Sequence, residues 1–269
     1  MTAVEASVHR PDPALLARVR RERPLIHCIS NLVTAADCAN ILLALGARPV
    51  MAQEPAEMAE ITAAARCTVL NTGTPDDRKF DACREAGRAA LAAGHPVVLD
   101  PVGAGASAYR RRQLEGLLTQ VRPTLVRANL AEVKALLSLT AREAGVDSLE
   151  AGDSAEAQNL ARALAQRLDC TVLLTGPADC IADKTRCALI PGGSALMERI
   201  TGAGCMLSVL SGAFLAVADD PFAAACTASA YWKRCSEKAE VCTRACDGGC
   251  GSFRMALFDA ADRLRPEEL

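Results

Sequence analysis

Three short apolar runs, Cys67–Asn71 (CTVLN), Pro96–Asp100 (PVVLD) and Thr171–Thr175 (TVLLT), constrain this chain more than any other feature. A strand wet on one face alternates apolar and polar residues, so near-continuous apolar runs mark strands covered on both faces. Between and around them lie segments of helical length and period: Arg78–Ala93, Arg110–Thr119, Leu130–Leu139 and Ser154–Leu168. Thr124–Val126 reads as a further extended piece, and Cys180–Asp183 with Cys187–Ile190 as a hairpin at one sheet edge. From Gly202 to Leu264 the pattern is helical in three segments. Strands alternating with helices imply right-handed βαβ units. The expected fold is therefore α/β, three αβα layers around a mainly parallel central sheet. No repeat or long linker divides the 269 residues, which predicts one domain over 1–269.

Composition narrows the function. Thirty Lys and Arg against 32 Asp and Glu give a net charge of −2, with no basic field for nucleic acid or an anionic membrane. Aromatics are 3% of the chain, too few for a base-stacking platform. Ile200–Ala218 runs without a charge, but its glycines and the closing Asp219–Asp220 fit a buried central helix better than a membrane span. The 13 cysteines are odd in number and spread through a long chain, and residues 1–23 lack an apolar export segment. Reduced thiols in a cytoplasm, mostly small core residues, are the expectation.

In an open α/β sheet, ligands bind beyond the carboxyl ends of the strands. The residues after each strand are chemically rich: Asn71-Thr-Gly-Thr, then Asp100-Pro-Val-Gly-Ala-Gly, then Arg127 and Asn129 with Glu132 one turn on. Gly176 comes after Thr175, and Thr201-Gly-Ala-Gly-Cys205 opens the long uncharged helix. Glycines at a helix N-terminus make an anion cradle, here without the lysine of a Walker A loop. The same dipole is expected to lower the Cys205 thiol pKa; a buried structural thiol is the alternative. Asp100 and Glu132 suit Mg²⁺ bound largely through water, or else capping and ion pairing. Arg127 suits a bidentate phosphate contact or a salt bridge.

Nearer the N-terminus, His27-Cys-Ile-Ser-Asn31 and Thr34…Asn40 are polar islands in apolar sequence. The Asn31 and Asn40 amides with the Met51 thioether would make a mixed pocket for a small polar heterocycle. Cys235, Cys242, Cys246 and Cys250 lack the paired-knuckle spacing of zinc sites, which favours incidental or redox-sensitive thiols.

In this order, PLIHCISNLVTAADCANILLALGARPVMA, NTGTPD, VVLDPVGAGAS and above all ITGAGCMLSVLSGAFLAV resemble the hydroxyethylthiazole kinases of thiamine salvage, which have the ribokinase-like fold. The resemblance covers nearly the whole chain. It implies ATP-dependent, Mg²⁺-assisted phosphorylation of the hydroxyl of 4-methyl-5-(2-hydroxyethyl)thiazole. It also implies a homotrimer whose pockets are completed across subunit interfaces. By position, Met51 and Gly202 would contact the thiazole, Arg127 and Thr175 would hold ATP, Asp100 and Glu132 would organise Mg²⁺, and Cys205 would meet the accepting hydroxyl. Ala128 and Ala203 depart from the family's common glycine and threonine, and Ala128 is expected to crowd a turn near the phosphates. The rivals are a ribokinase-like kinase of another small alcohol such as a hydroxymethylpyrimidine, an ATP-dependent hydrate dehydratase, and a non-enzymatic thiol or metal-binding module. Aspartate at position 205 would favour the first two.

Overall fold

The computed structural model describes residues 10–140 and 154–269; the reading of residues 1–23 lies partly outside them. Eight strands form one sheet: β1 Leu25–Ile29, β2 Arg48–Val50, β3 Cys67–Asn71, β4 Val97–Asp100, β5 Leu125–Asn129, β6 Thr171–Thr175, β7 Asp179–Ala182 and β8 Cys187–Ile190. Their order is β2-β1-β3-β4-β5-β6-β7-β8. The first six are parallel, and β7 and β8 turn back antiparallel as the edge hairpin. Among the described residues the helices are α1 Pro13–Glu22, α2 Ala35–Leu45, α3 Met58–Ala64, α4 Asp77–Ala93, α5 Ala108–Leu118, α6 Leu130–Thr140, α7 Ser154–Leu168, α8 Ala203–Leu215, α9 Pro221–Ala245 and α10 Cys250–Arg263.

The strand period of two divides the core. Cys67, Val69, Val98 and Leu173 face a layer built from α1, α2, α8, α9 and α10. Leu70, Val97, Leu99 and Val172 face the opposite layer of α3, α4, α6 and α7. Burying both faces is what turned these strands into continuous apolar runs. The charge-free segment becomes α8, buried from Cys205 to Leu215 as a central helix. A Cβ on its Gly212 would meet Val69 Cγ2 at 2.8 Å, so the helix sits close on β3. No helix among the described residues is long and apolar enough to cross a membrane.

Two features differ from the sequence reading. The extended piece at 124–126 continues to Asn129, so Arg127 is inside β5 rather than beyond it. Ala128 is likewise a buried strand residue paired with Leu174, not a turn residue.

Chain order creates a crevice. The chain passes from β1 to β2 on one side, then returns to place β3 on the other side of β1. α2, after β1, packs on one face, and α4, after β3, packs on the other. Between the carboxyl ends of β1 and β3 the sheet therefore has a topological switch point, the usual place for a ligand.

Candidate active site

Asn71 and Asp100 are register partners at the carboxyl ends of β3 and β4. Asn71 Nδ2 donates to Asp100 Oδ2 at 2.6 Å and to Cys205 Sγ at 3.2 Å. Ser208 Oγ donates to the same Asp100 oxygen at 2.8 Å. It lies three residues after Cys205 and so shares its helix face. The other oxygen, Oδ1, is buried without a hydrogen bond, with Arg127 Nη1 at 3.7 Å. Burial pushes the Asp100 carboxyl up to about 6; the Arg127 charge opposes that rise, and the nearby Glu132 carboxylate adds to it.

The glycine loop lies over these strand ends. Gly202 is left-handed (φ 86°), and a Cβ there would meet Thr34 Cγ2 at 2.6 Å, so geometry and space both require glycine. At Gly204 a Cβ would land 2.3 Å from Arg127 Nη1, which puts the guanidinium directly against the loop backbone. Trp232 Nε1 donates to Ala203 O at 3.2 Å and anchors the loop from α9. Arg127 Nη2 donates to Thr175 Oγ1 at 2.8 Å, across the β5–β6 step, while its Nε is buried without a partner. Two unpartnered atoms, an acceptor on Asp100 and a donor on Arg127, thus belong to neighbouring side chains beneath a helix N-terminus. Buried polar atoms without a partner are uncommon, and a bound ion, phosphate or water is one of the things that satisfies them.

Cys205 is 8% exposed and its Sγ takes a hydrogen bond from Asn71 Nδ2 at 3.2 Å. Its thiol pKa is raised, first by burial and then by the Asp100 charge, against the lowering expected from the helix dipole. Desolvation of a thiolate outweighs half a unit of dipole charge at this depth.

Glu132 does two things at once. Asn129 Oδ1 accepts from Glu132 N at 2.9 Å, and Glu132 Oε2 accepts from Asn129 N at 2.9 Å, a capping box at the start of α6. Its Oε1 takes the Gly103 amide at 3.0 Å, tying in the loop after β4. Among the described residues no three His, Cys, Asp or Glu side chains are gathered to hold a metal ion. The donor set still fits Mg²⁺, which uses one or two carboxylates plus water and phosphate, and the unpartnered Asp100 Oδ1 is the available ligand atom.

On the acceptor side, Met51 comes directly after β2, half-buried against the core. Asn31 lies just past β1, its Oδ1 accepting the Val33 amide at 3.0 Å and its Nδ2 lying against Gly73. Asn40 is exposed on α2. His27 is buried in β1; its Nε2 donates to Ala52 O at 3.1 Å and its Nδ1 accepts from Thr62 Oγ1 at 2.9 Å, holding the segment after Met51 in place. Ala52 O only accepts, which sets this tautomer. Ser208 and Lys79 escape the sequence reading. A polar residue in an uncharged helix, one turn from Cys205, was a usable signal for Ser208. A lysine in the first turn of α4, where the dipole disfavours positive charge, was one for Lys79.

The C-terminal thiols do not form a site. Cys235 is buried in the core, whereas Cys242, Cys246 and Cys250 are exposed.

A model described as the hydroxyethylthiazole kinase family matches residues 16–267. A Listeria monocytogenes (serotype 4a) protein named hydroxyethylthiazole kinase is 43% identical over 250 residues, 93% of this chain and 91% of its own. The solved structure of a Pyrococcus horikoshii hydroxyethylthiazole kinase superposes with a TM-score of 0.84 at 35% identity, covering 94% of this chain and 92% of that one. A ribokinase-like superfamily protein from Enterococcus faecalis aligns with TM-score 0.61 at 12% identity, over 96% of this chain and 92% of its own, a likeness of fold.

Proposed function

The chain belongs to the hydroxyethylthiazole kinase family, and from that premise we propose that it transfers the γ-phosphoryl group of ATP to the hydroxyl of 4-methyl-5-(2-hydroxyethyl)thiazole. The observation that carries this reading is the meeting of Arg127, Asp100 Oδ1 and Cys205 beneath the glycine loop. A guanidinium suited to phosphate, an unpartnered carboxylate oxygen and a thiol suited to a hydroxyl lie together in one crevice, and that supports the reading.

Phosphoryl transfer passes through a loose transition state, so alignment and charge neutralisation supply most of the acceleration. Arg127, steadied by Thr175, binds phosphate oxygens, and the amides at the start of α8 face the charge that moves. Mg²⁺, held by Asp100 Oδ1 and Glu132 largely through water, would supply further neutralisation of the phosphates. Asn71 directs the Cys205 sulfur, which orients the attacking hydroxyl. A thiol with a raised pKa is mostly protonated at neutral pH, so orientation outweighs proton abstraction in its contribution. Met51 and Asn31 line the acceptor pocket with Gly202.

Leu32 and Val33, next to Asn31, are 70% and 67% exposed, and Leu43 on α2 is 54% exposed. Adjacent apolar side chains so open suit a protein interface. They support a homotrimer in which a neighbouring subunit completes each pocket. Ten buried free thiols suit a reducing, cytoplasmic compartment.

A coupled ADP-release assay across the thiazole alcohol, a hydroxymethylpyrimidine and simple sugar alcohols tests the reading. The expected result is turnover on the thiazole alcohol with kcat/KM at least tenfold above the others. Preference for another acceptor overturns it.

A further inference from the structure

Lys79 is buried, 6% exposed, in the first turn of α4. Its Nζ donates to Ser30 O and to Gly73 O, both at 2.6 Å. No carboxylate among the described residues is within ion-pair distance of it. A desolvated ammonium opposed to its own helix dipole is costly, and persists where short charge-assisted bonds compensate. Those bonds go to particular places. Ser30 lies just past β1 and Gly73 just past β3, so the two carbonyls belong to the two lips of the switch-point crevice.

We propose that Lys79 is a positioning residue for the acceptor pocket: its ammonium clamps the Ser30 and Gly73 carbonyls and so sets the width of the crevice between β1 and β3. The proposal rests on the acceptor side being assigned as above. The clamp reaches the site through short links. Gly73 N donates to Asn71 Oδ1 at 2.9 Å, which turns the Asn71 Nδ2 toward Asp100 and Cys205. On the other lip, a Cβ at Gly73 would lie 2.4 Å from Asn31 Nδ2, so the Asn31 amide packs directly on the clamped residue. Leu32 N donates to Thr74 Oγ1 at 3.1 Å, a second bridge between the same lips. Arg127 and Thr175 lie on β5 and β6, away from this bridge. A clamp at the β1–β3 step therefore acts on the acceptor pocket directly and reaches the ATP side only at second hand, through Asn71 and Asp100.

Lys79→Met keeps the aliphatic stem and removes both donors; Lys79→Gln is shorter and keeps an amide donor for one carbonyl. The expected result is a KM for the thiazole alcohol raised at least tenfold in Lys79→Met and about threefold in Lys79→Gln, with KM for ATP within twofold of wild type in both. Equal changes in the two KM values, or none, overturn the clamp. Should Lys79→Met fail to fold, the Lys79→Gln ratio decides alone. Hydrogen exchange gives a substrate-free reading: the amides of Leu32, Val33, Thr34 and Gly73 should exchange at least tenfold faster in the variant while β5 and β6 are unchanged. Unchanged exchange at those four amides also overturns it. Absence of wild-type turnover on the thiazole alcohol would sink the substrate assignment and leave the exchange result to judge the clamp.

Discussion

Thiols matter to the reading of two regions of this molecule, the carboxyl edge of the sheet and the junction of α9 and α10. At the edge Cys205 takes a hydrogen bond from Asn71 and is neighboured by Asp100, Arg127 and the buried thiol of Cys38. At the junction three cysteines, Cys242, Cys246 and Cys250, lie within nine residues of sequence yet face solvent. Cys246 Sγ reaches only the Thr243 carbonyl of its own helix, at 3.4 Å. The cluster in sequence is the chemically plain one. What gives a thiol a role is the set of side chains that other elements bring to it, and those come from residues 71, 100 and 127.

That contrast can be broken by substitution, beginning with the group expected to matter most. If Asp100 stands beside the transferred phosphoryl as proposed, Asp100→Asn removes that charge, and kcat is expected to fall roughly 10²–10³-fold, the scale of losing one electrostatic contact in a closed site. Glu132→Gln should cost less, about tenfold, and be partly rescued by raising Mg²⁺. Steady-state kinetics over a Mg²⁺ series measures both, and wild-type kinetics at low Mg²⁺ in both variants would remove the metal assignment.

Next comes Cys205 itself. Cys205→Ala is expected to lower kcat by about 10–100-fold, the low end for acid–base and orienting groups, with KM for ATP unchanged. Cys205→Asp should retain turnover, since a carboxylate accepts the hydroxyl hydrogen bond and is a better base than a protonated thiol. A fully active Ala variant beside a misfolded Asp variant would make Cys205 a core thiol, no different in kind from Cys67.

A smaller effect concerns the support beneath Met51. Burial lowers the His27 pKa below its ordinary 6.5. At higher pH the ring is neutral whether the chain is folded or not, and the shift changes nothing. As pH falls below 6.5 the unfolded chain takes up a proton that the folded one resists. Stability is then lost, at up to about 1.4 kcal/mol per pH unit, until the folded pKa is passed. Urea denaturation at pH 7.5 and 5.5 should show this loss in wild type and a shallower one in His27→Gln. Parallel slopes in the two proteins would count against it.

The smallest effect completes the comparison. Replacing Cys242, Cys246 and Cys250 together by Ser should leave kcat within twofold and stability within about 0.5 kcal/mol per position, as for surface changes generally. A large loss of activity would mean the junction thiols do something their contacts do not reveal.

Much of this was legible from residue order. The runs at 67–71, 96–100 and 171–175 hold strands, the 180–190 segment is an edge hairpin, and the charge-free 200–218 stretch holds the buried helix α8. Asp100, Arg127, Thr175 and Cys205 gather at one sheet edge because every parallel strand delivers its last residue to the same side. β1 and β2 were harder to read: LIHCI carries a histidine in its middle, and RPV is three residues with a proline. Their identity as strands depends on neighbours supplying the ladder, not on their own pattern. The direction of the Cys205 pKa was also out of reach, since a dipole is visible in sequence and depth is not.

By itself, then, the sequence determined the alternation of strands and helices, the apolar character that demands two covering layers, and the chemical groups standing after each strand. Those are local properties, carried by side-chain period and composition. Only the tertiary structure decided which groups touch: that Arg127 lies on Gly204, that Asp100 keeps one oxygen unpaired, that Asn71 joins Asp100 to Cys205, and that Lys79 spans the crevice from the first turn of α4. Contacts between residues 29 to 134 positions apart in the chain arise from strand order and the close seat of α8 on the sheet. The physical reason is that burial and hydrogen-bond pairing are properties of the packed neighbourhood, and the neighbourhood exists only once the sheet has been assembled.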